Sequence, residues 1–214
     1  MAKKVDPRLL WGLGAAGLLW LLSGKSSTSS SPPPPADVPP DDTDSAPFAE
    51  RERLYGTMIA RAMRRAGYAP EVGLALAKNE SSFRARAVNN AGSDAERGGA
   101  WGLTQITLET ARGVGFRGAG EELLDPARHM AWFVAVLDEK AARVGHDPRD
   151  LVSAWNSGRS YASLKAARDA ATPGSATWSR LNTSLTSYVP KLMQSVNEYA
   201  ARIARGEFGG PGVA

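Results

Sequence analysis

A proline- and serine-rich stretch divides this chain and limits what it can fold into. Residues 25–47 read KSSTSSSPPPPADVPPDDTDSAP and hold almost no apolar side chain that could be buried in a core. This composition predicts a semi-extended linker, which leaves residues 48–214 for one folded domain of ordinary size. We therefore expect an N-terminal helix within residues 1–24, the linker at 25–47 and a single domain at 48–214.

The region before the linker is hydrophobic. Residues 9–22 read LLWGLGAAGLLWLL, carry no charge and follow Lys3, Lys4 and Arg8. An untilted membrane span needs about 20 apolar residues, so this run is short for one. Three interpretations stay open: an uncleaved membrane anchor, a cleaved secretion signal, or a hydrophobic helix buried in a larger assembly. If the run is an anchor, the basic residues before it predict that the domain lies across the membrane from the cytoplasm.

From Phe48 onward, apolar residues recur at helical intervals of three and four. Pro70 is suited to the start of a helix, and the pairs Asp125-Pro126 and Asp147-Pro148 each combine a capping side chain with a proline in the first turn. No segment shows sustained alternation of apolar and polar residues, so the predicted class is mostly α, with a minor sheet or none. Residues 89–100 (NNAGSDAERGGA) predict a polar, glycine-rich loop, either functional or merely solvated.

Composition excludes several classes of function. The 26 basic and 22 acidic residues give a net charge of +4, which weakly favours an anionic polymer as a partner. No nucleic-acid-binding motif accompanies that charge, so we expect no nucleic-acid partner. The chain has no cysteine, which excludes a thiol nucleophile and a cysteine-based zinc site. Its two histidines, His129 and His146, lack the spacing of a metal site, so we expect neither a metal nor a cofactor.

Glu80 has a sequence context that suits a general acid. It ends the apolar segment GLALAKNE, so its carboxyl can lie at a helix end beside apolar side chains. Burial there would raise its pKa, and a carboxylic acid with a raised pKa is the usual proton donor in glycosidic bond cleavage. Glutamates at helix ends are more often solvated, however, so this pattern alone does not decide the matter.

Five short motifs strengthen this interpretation by their order along the chain. They are Glu80-Ser81, Gly102-Leu103-Thr104-Gln105-Ile106, Leu123-Leu124-Asp125-Pro126, Ala154-Trp155-Asn156-Ser157-Gly158 and Tyr188-Val189-Pro190-Lys191. With these motifs, about residues 54–202 resemble the soluble lytic transglycosylases of the lysozyme-like, goose-lysozyme-related superfamily. Thr104 stands where the family has methionine, and Trp155 where it has tyrosine. The resemblance implies a lysozyme-like helical fold.

The resemblance also implies a role for each matching residue. Glu80 would be the only catalytic carboxyl, protonating the bond between N-acetylmuramic acid and N-acetylglucosamine in peptidoglycan glycan strands. It would then take a proton from the sugar's 6-hydroxyl, leaving a 1,6-anhydromuramic end. Supporting or substrate-binding roles are implied for Ser81, Gln105, Asn156 and Tyr188, while Trp155 would keep an aromatic surface for stacking on a sugar.

Two alternatives to this chemistry remain. Asp94 or Glu96, in the glycine-rich segment, could activate water if placed about 6.5–9.5 Å from Glu80 across a bound sugar, which would make the enzyme an inverting hydrolase. The fold could also serve as a non-catalytic glycan-binding or structural module. The expected setting is a bacterial cell envelope, anchored in the inner membrane through residues 9–22 and facing the periplasm, with a secretion system or a phage virion as further possibilities.

Overall fold

A computed structural model describes residues 43–209. Within that range no helix is both long and apolar enough to cross a membrane. The hydrophobic run at residues 9–22 and most of the expected linker lie outside the described residues, so all three interpretations of this run stay predictions.

The described chain is mostly helical, as the sequence predicts, with one very small sheet. The α-helices are α1 (Phe48–Arg65), α2 (Pro70–Ser81), α3 (Gly92–Glu96), α4 (Leu108–Gly113), α5 (Pro126–Val144), α6 (Pro148–Ser157), α7 (Tyr161–Ala170), α8 (Ala176–Thr183) and α9 (Val189–Ala204). Short 3-10 turns cover Thr43–Ser45 and Gly120–Leu124, and a π-helical turn, Ser184–Tyr188, joins α8 to α9. The fold is therefore consistent with the expected lysozyme-like helical domain.

The starts of α5 and α6 confirm the expected Asp-Pro entries. The Asp125 carboxylate accepts a hydrogen bond from the Arg128 amide at 2.8 Å. The Asp147 carboxylate accepts from the amides of Arg149 and Asp150 at 2.9 and 3.2 Å. Each aspartate thus satisfies amides that the first helical turn leaves without partners, and the following proline needs no such bond.

The core is built around α2. Every residue from Val72 to Ala77 is buried, and the helix packs between α1 and α9. Such a helix, apolar on nearly all sides, is stable only when neighbours cover it on all sides. A buried polar cluster also connects α1 to α9. The Glu52 carboxylate, 8% exposed, accepts hydrogen bonds from the Tyr199 hydroxyl at 2.6 Å and from the Arg202 guanidinium at 2.7 and 3.0 Å. Both charges of this pair are satisfied, as burial requires.

The sheet consists of three two-residue strands in the order β1 (Val88–Asn89), β2 (Ala100–Trp101) and β3 (Ile106–Thr107). All pairs are antiparallel, with Asn89 opposite Ala100 and Trp101 opposite Ile106. The expected long loop at residues 89–100 is instead a hairpin that carries α3 at its tip. A helix of five residues leaves too weak a periodicity to be found in the sequence.

The packed domain begins earlier than the expected boundary at residue 48. Thr43 is 4% exposed. The Asp44 carboxylate accepts hydrogen bonds from two successive amides, Ala85 at 2.8 Å and Arg86 at 2.6 Å. Residues 43–47 therefore pack on the helical domain and are not part of a free linker. Composition misses this because the contact joins positions more than 40 apart in sequence.

A buried histidine connects the second motif to α5. His129 is fully buried, and its Nε2 accepts from the Thr104 amide at 3.1 Å, so the proton resides on Nδ1, which donates to the Leu123 carbonyl at 3.0 Å. Burial lowers the pKa of His129 to about 4, which keeps the ring neutral. Thr104, where the family has methionine, also places its hydroxyl 2.8 Å from Nε2.

This arrangement requires glycine at position 102. Its φ is +73°, and an added Cβ would lie 2.5 Å from both His129 Nδ1 and the Leu123 carbonyl oxygen. We expect Gly102→Ala to lower the free energy of unfolding by about 2–4 kcal/mol, from overpacking and left-handed backbone strain together. Urea unfolding of the full chain measures this.

The matched control is Gly113→Ala, because an added Cβ there meets nothing within 4 Å and Gly113 ends a helix. That variant should be as stable as the wild type, or more stable by up to about 1 kcal/mol. Equal effects at the two positions would contradict the role given to His129.

Candidate active site

Glu80 lies next to the end of α2 and is half-buried. The two residues after the helix, Ser82 and Phe83, both adopt left-handed backbone conformations, with φ of 56° and 58°. Each such non-glycine residue costs about 1–2 kcal/mol, so the surrounding structure must hold this turn in place. The turn fixes the direction in which the chain leaves Glu80.

Several contacts hold the strained turn. The Phe83 ring is fully buried, with its centroid 5.8 Å from that of Phe48 and 6.3 Å from that of Tyr199 in edge-on geometry. Arg51 donates from Nε to the Ser82 carbonyl at 3.2 Å and from Nη1 to the Ala46 carbonyl. Together with Asp44, these contacts fix the backbone just beyond Glu80 from the N-terminal side of the domain.

Tyr188 reaches Glu80 from the other end of the domain. Its hydroxyl donates to Glu80 Oε1 at 2.5 Å, a contact between residues 108 positions apart. Tyr188 is the last residue of the π-helical turn Ser184–Tyr188. Single π-helical turns within helices are frequent at functional sites, where the extra residue changes the direction of a side chain.

The electrostatic surroundings favour a protonated Glu80. Burial is the largest influence and raises the pKa of its carboxyl, and the negative charge of Asp94 raises it further. The hydrogen bond from Tyr188 and the positive charge of Lys191 act in the opposite direction. Burial and the neighbouring Glu80 raise the pKa of Tyr188, so its hydroxyl keeps its proton and remains a donor.

Asn156 is connected to the same π-helical turn. It lies exposed near the end of α6, and its Oδ1 accepts from the buried Ser184 hydroxyl at 2.7 Å. Because Asn156 Oδ1 faces Ser184, Asn156 Nδ2 points away from Ser184, and it can donate a hydrogen bond to a ligand there. Tyr188 and Asn156, both expected at the site, are thus positioned by opposite ends of one five-residue turn.

Trp155 is directed mainly at the core. Its ring centroid lies 5.2 Å from that of Phe133 in edge-on geometry, and Lys140 Nζ lies 5.6 Å from the Trp155 ring. Lys140 itself is 8% exposed and donates to the Ala154 carbonyl at 3.1 Å. This geometry favours packing over the expected stacking on a sugar, which stays a prediction.

Ser81 and Gln105 both bind backbone groups of the fold. The Ser81 hydroxyl is buried, donates to the Leu103 carbonyl at 2.7 Å and accepts from the Arg84 amide at 3.1 Å. Ser81 therefore links α2 to the second motif, a geometry that favours a structural role over sugar binding. Gln105 Nε2 donates to the carbonyls of Ala87 and Gly102 at 3.1 and 2.9 Å, leaving its amide oxygen without a partner among the described residues.

The two candidate water-activating residues differ in position. Asp94, in α3, is half-buried, accepts from Asn89 Nδ2 at 2.7 Å and lies near enough to Glu80 to affect its pKa. Glu96 is exposed at the end of α3 and has no hydrogen-bond or ion-pair partner among residues 43–209. Of these two carboxylates, Asp94 is the one whose charge acts on Glu80.

The sequence of this chain also matches a known family. The model described as the transglycosylase SLT domain matches residues 57–176, which is more than half of the chain. This chain belongs to the transglycosylase SLT family. At the level of that family, it is a glycan-cleaving enzyme of the lytic transglycosylase type, and its substrate is peptidoglycan. A search among curated proteins finds no match.

The SLT match does not include every residue that forms the site. It covers Glu80, Gln105 and Asn156 but ends before Tyr188 and begins after Asp44. Sequence reasoning found Tyr188 through its short motif, and it missed Asp44 and Ser184. Ser184 lies four residues before Tyr188, on the same face of a continuous helical segment, and this spacing was the one available signal.

The SLT site predicts a pH-dependent stability difference. Because the pKa of Glu80 is raised in the folded state, the folded chain holds this proton more tightly than the unfolded chain does. The wild type therefore loses stability as pH rises from the ordinary glutamate pKa through the raised one. Glu80→Gln has no such charge, so it should be more stable than wild type at about pH 7, and the difference should shrink toward about pH 4.

Thermal unfolding of the full chain at both pH values measures this difference. Glu121→Gln is the matched control, because Glu121 is exposed and has no partner among the described residues. It should change stability little at either pH. A Glu80→Gln variant that is less stable than wild type at about pH 7 would contradict the burial of this carboxyl.

Proposed function

We propose that this SLT enzyme cleaves the β-1,4 bond between N-acetylmuramic acid and N-acetylglucosamine and releases a 1,6-anhydromuramic end, with Glu80 first as acid and then as base. The observation that carries the proposal is the half-buried Glu80 carboxyl, to which the Tyr188 hydroxyl donates a hydrogen bond at 2.5 Å. Burial favours a proton on Glu80 before reaction, and the Tyr188 bond favours the carboxylate that forms once the proton has left. One carboxyl can thus serve in both steps.

In the first step, protonated Glu80 transfers its proton to the bridging oxygen while the bond from that oxygen to C1 of the muramic acid breaks. The N-acetylglucosamine leaves with a hydroxyl, and Glu80 becomes a carboxylate. The positive charge at C1 is trapped by the carbonyl oxygen of the substrate's own N-acetyl group. The amide nitrogen of Asn156, directed away from Ser184, is a suitable donor to the bound sugar.

In the second step, the 6-hydroxyl of the same muramic acid attacks C1 and returns its proton to Glu80. The bond from C1 to the N-acetyl oxygen breaks, which restores that group and completes the anhydro ring. The enzyme regains its starting protonation state and no water is consumed. This sequence matches the requirement that a catalytic carboxyl have a pKa near the working pH.

A second candidate is an inverting hydrolase in which Asp94 activates water. It is favoured by one observation: the Asp94 charge raises the pKa of Glu80, as the charge of a paired catalytic carboxylate would. Against it, the Asp94 carboxylate accepts a hydrogen bond from Asn89 and is held within the hairpin. We therefore prefer the transglycosylase reaction.

For the setting, we propose a bacterial envelope, with residues 9–22 as an inner-membrane anchor and the domain in the periplasm, or a phage virion.

The product decides between the two reactions. Digestion of purified peptidoglycan, followed by mass spectrometry of the released ends, should give 1,6-anhydromuramic ends, and Glu80→Gln should lower the rate at least about 100-fold. Asp94→Asn should leave the same anhydro ends. Reducing ends with added water throughout, lost in Asp94→Asn, would contradict the transglycosylase proposal. An unchanged rate in Glu80→Gln would indicate a different catalytic group.

Tyr188 has a separate kinetic signature. Tyr188→Phe removes the hydrogen bond that lowers the pKa of Glu80, so the fall in activity at high pH should move to still higher pH. At the same time the carboxylate formed in the first step loses its donor, and kcat should fall about 10- to 100-fold.

The pH profile of kcat/KM on soluble glycan strands measures this shift. Tyr161→Phe is the control, since Tyr161 lies on α7, with its ring 5.3 Å from the Arg149 guanidinium carbon. Its profile should overlay that of the wild type. A Tyr188→Phe profile that shifts to lower pH would refute the proposed role of the hydroxyl.

A further inference from the structure

One polar stripe of the final helical segment faces α1 and α2. It consists of side chains spaced three or four residues apart, which places them on one face: Tyr188, Lys191, Ser195, Glu198 and Arg202. Tyr188 contacts Glu80, and the Ser195 hydroxyl accepts from Asn79 Nδ2 at 3.1 Å.

The two remaining C-terminal residues of the stripe, Glu198 and Arg202, also pair with side chains of α2 and α1. Glu198 forms an ion pair with Lys78 at 2.8 Å, and Arg202 forms one with Glu52 at 2.7 Å. Four of the five stripe residues are therefore bound to a polar side chain of α1 or α2.

Lys191 is the exception within residues 43–209. It is exposed and forms no hydrogen bond or ion pair with any described residue. It lies one turn after Tyr188 and one turn before Ser195, on the side of α9 that faces the end of α2. Its positive charge acts on Glu80, which is consistent with a position beside the catalytic carboxyl. The other charge acting on Glu80 is that of Asp94, from the hairpin.

A lysine at this position with no hydrogen-bond or ion-pair partner among residues 43–209 is suited to an anion on the substrate. The ammonium group of lysine is compact and strongly hydrated. It binds a carboxylate as a point charge, without the fixed bidentate geometry that an arginine guanidinium imposes. Muramic acid carries a lactyl group that ends in a free carboxylate or in a peptide with carboxylates of its own. We propose that Lys191 binds a carboxylate of the muramyl substituent, so that this enzyme discriminates substrates by the charge beside the cleaved bond. This inference rests on the proposed function, because it requires muramic acid next to Glu80.

The test compares variants and substrates in one kinetic set. The full-length variants are Lys191→Gln, Lys191→Arg and, as a matched control, Lys165→Gln, because Lys165 is an exposed lysine of α7 without a partner among the described residues. The substrates are soluble glycan strands with intact stem peptides and strands stripped of peptide by an amidase. Each is used with free carboxylates and with carboxylates converted to methylamides.

We expect Lys191→Gln to raise KM about fivefold on substrates with free carboxylates and to leave KM unchanged on the amidated ones. Lys191→Arg should stay close to wild type, and Lys165→Gln should not differ from it. An effect restricted to peptide-bearing strands would assign the anion to the stem peptide. An effect restricted to stripped strands would assign it to the lactyl carboxylate.

Two results would overturn the inference while the proposed function stands. One is an unchanged KM for Lys191→Gln on every substrate. The other is an equal loss on charged and amidated strands, which would mean that Lys191 acts through Glu80 and not on the substrate. If the wild type cleaves none of these strands, the proposed function fails and this inference fails with it.

Discussion

The hydrogen bond between Tyr188 and Glu80 is the contact on which the rest of the site depends. It joins the end of α2 to the start of α9 and brings together residues 108 positions apart. It also sets the balance at the carboxyl: burial favours the proton, and the tyrosine favours its release. A carboxyl with only one of these influences would suit one half of an acid-then-base reaction and hinder the other.

Two clusters of contacts, one on each side, hold the Tyr188–Glu80 hydrogen bond in place. On one side, Glu52 of α1 binds Tyr199 and Arg202 of α9, which fixes the helix that follows Tyr188. On the other, Asp44 and Arg51 hold the strained turn that follows Glu80. The five residues that make these contacts lie outside the 57–176 range of the SLT match: Asp44, Arg51, Glu52, Tyr199 and Arg202. The matched range therefore contains the Glu80 carboxyl, while the contacts that hold its surroundings come from the segments on either side of that range.

Much of the site could be predicted from sequence, since a helix end, a helix start and short motifs are local features. The Asp-Pro entries of α5 and α6 and the mostly helical class follow from such signals. The direction of a side chain cannot be predicted from such signals. The motif around Trp155 does not indicate whether its ring packs on the core or stacks on a sugar, and in the structure the ring packs edge-on against Phe133. The family resemblance likewise implies a supporting or sugar-binding role for Ser81 but not the direction of its hydroxyl, which donates to the Leu103 carbonyl. The position of Asp44 depends on a contact with Ala85 that no local pattern encodes.

We infer that folding holds the Glu80 carboxyl in its protonated form at a pH where ordinary glutamates are ionised, because burial raises its pKa. The most direct measurement is a carbon-13 NMR titration of the side-chain carboxyls in the full-length protein, with the Glu80→Gln variant to assign the Glu80 signal. We expect a midpoint for Glu80 above the ordinary glutamate value of about 4.3. A midpoint at or below that value would contradict it, because a carboxyl already ionised in the resting enzyme has no proton to give to the glycosidic oxygen.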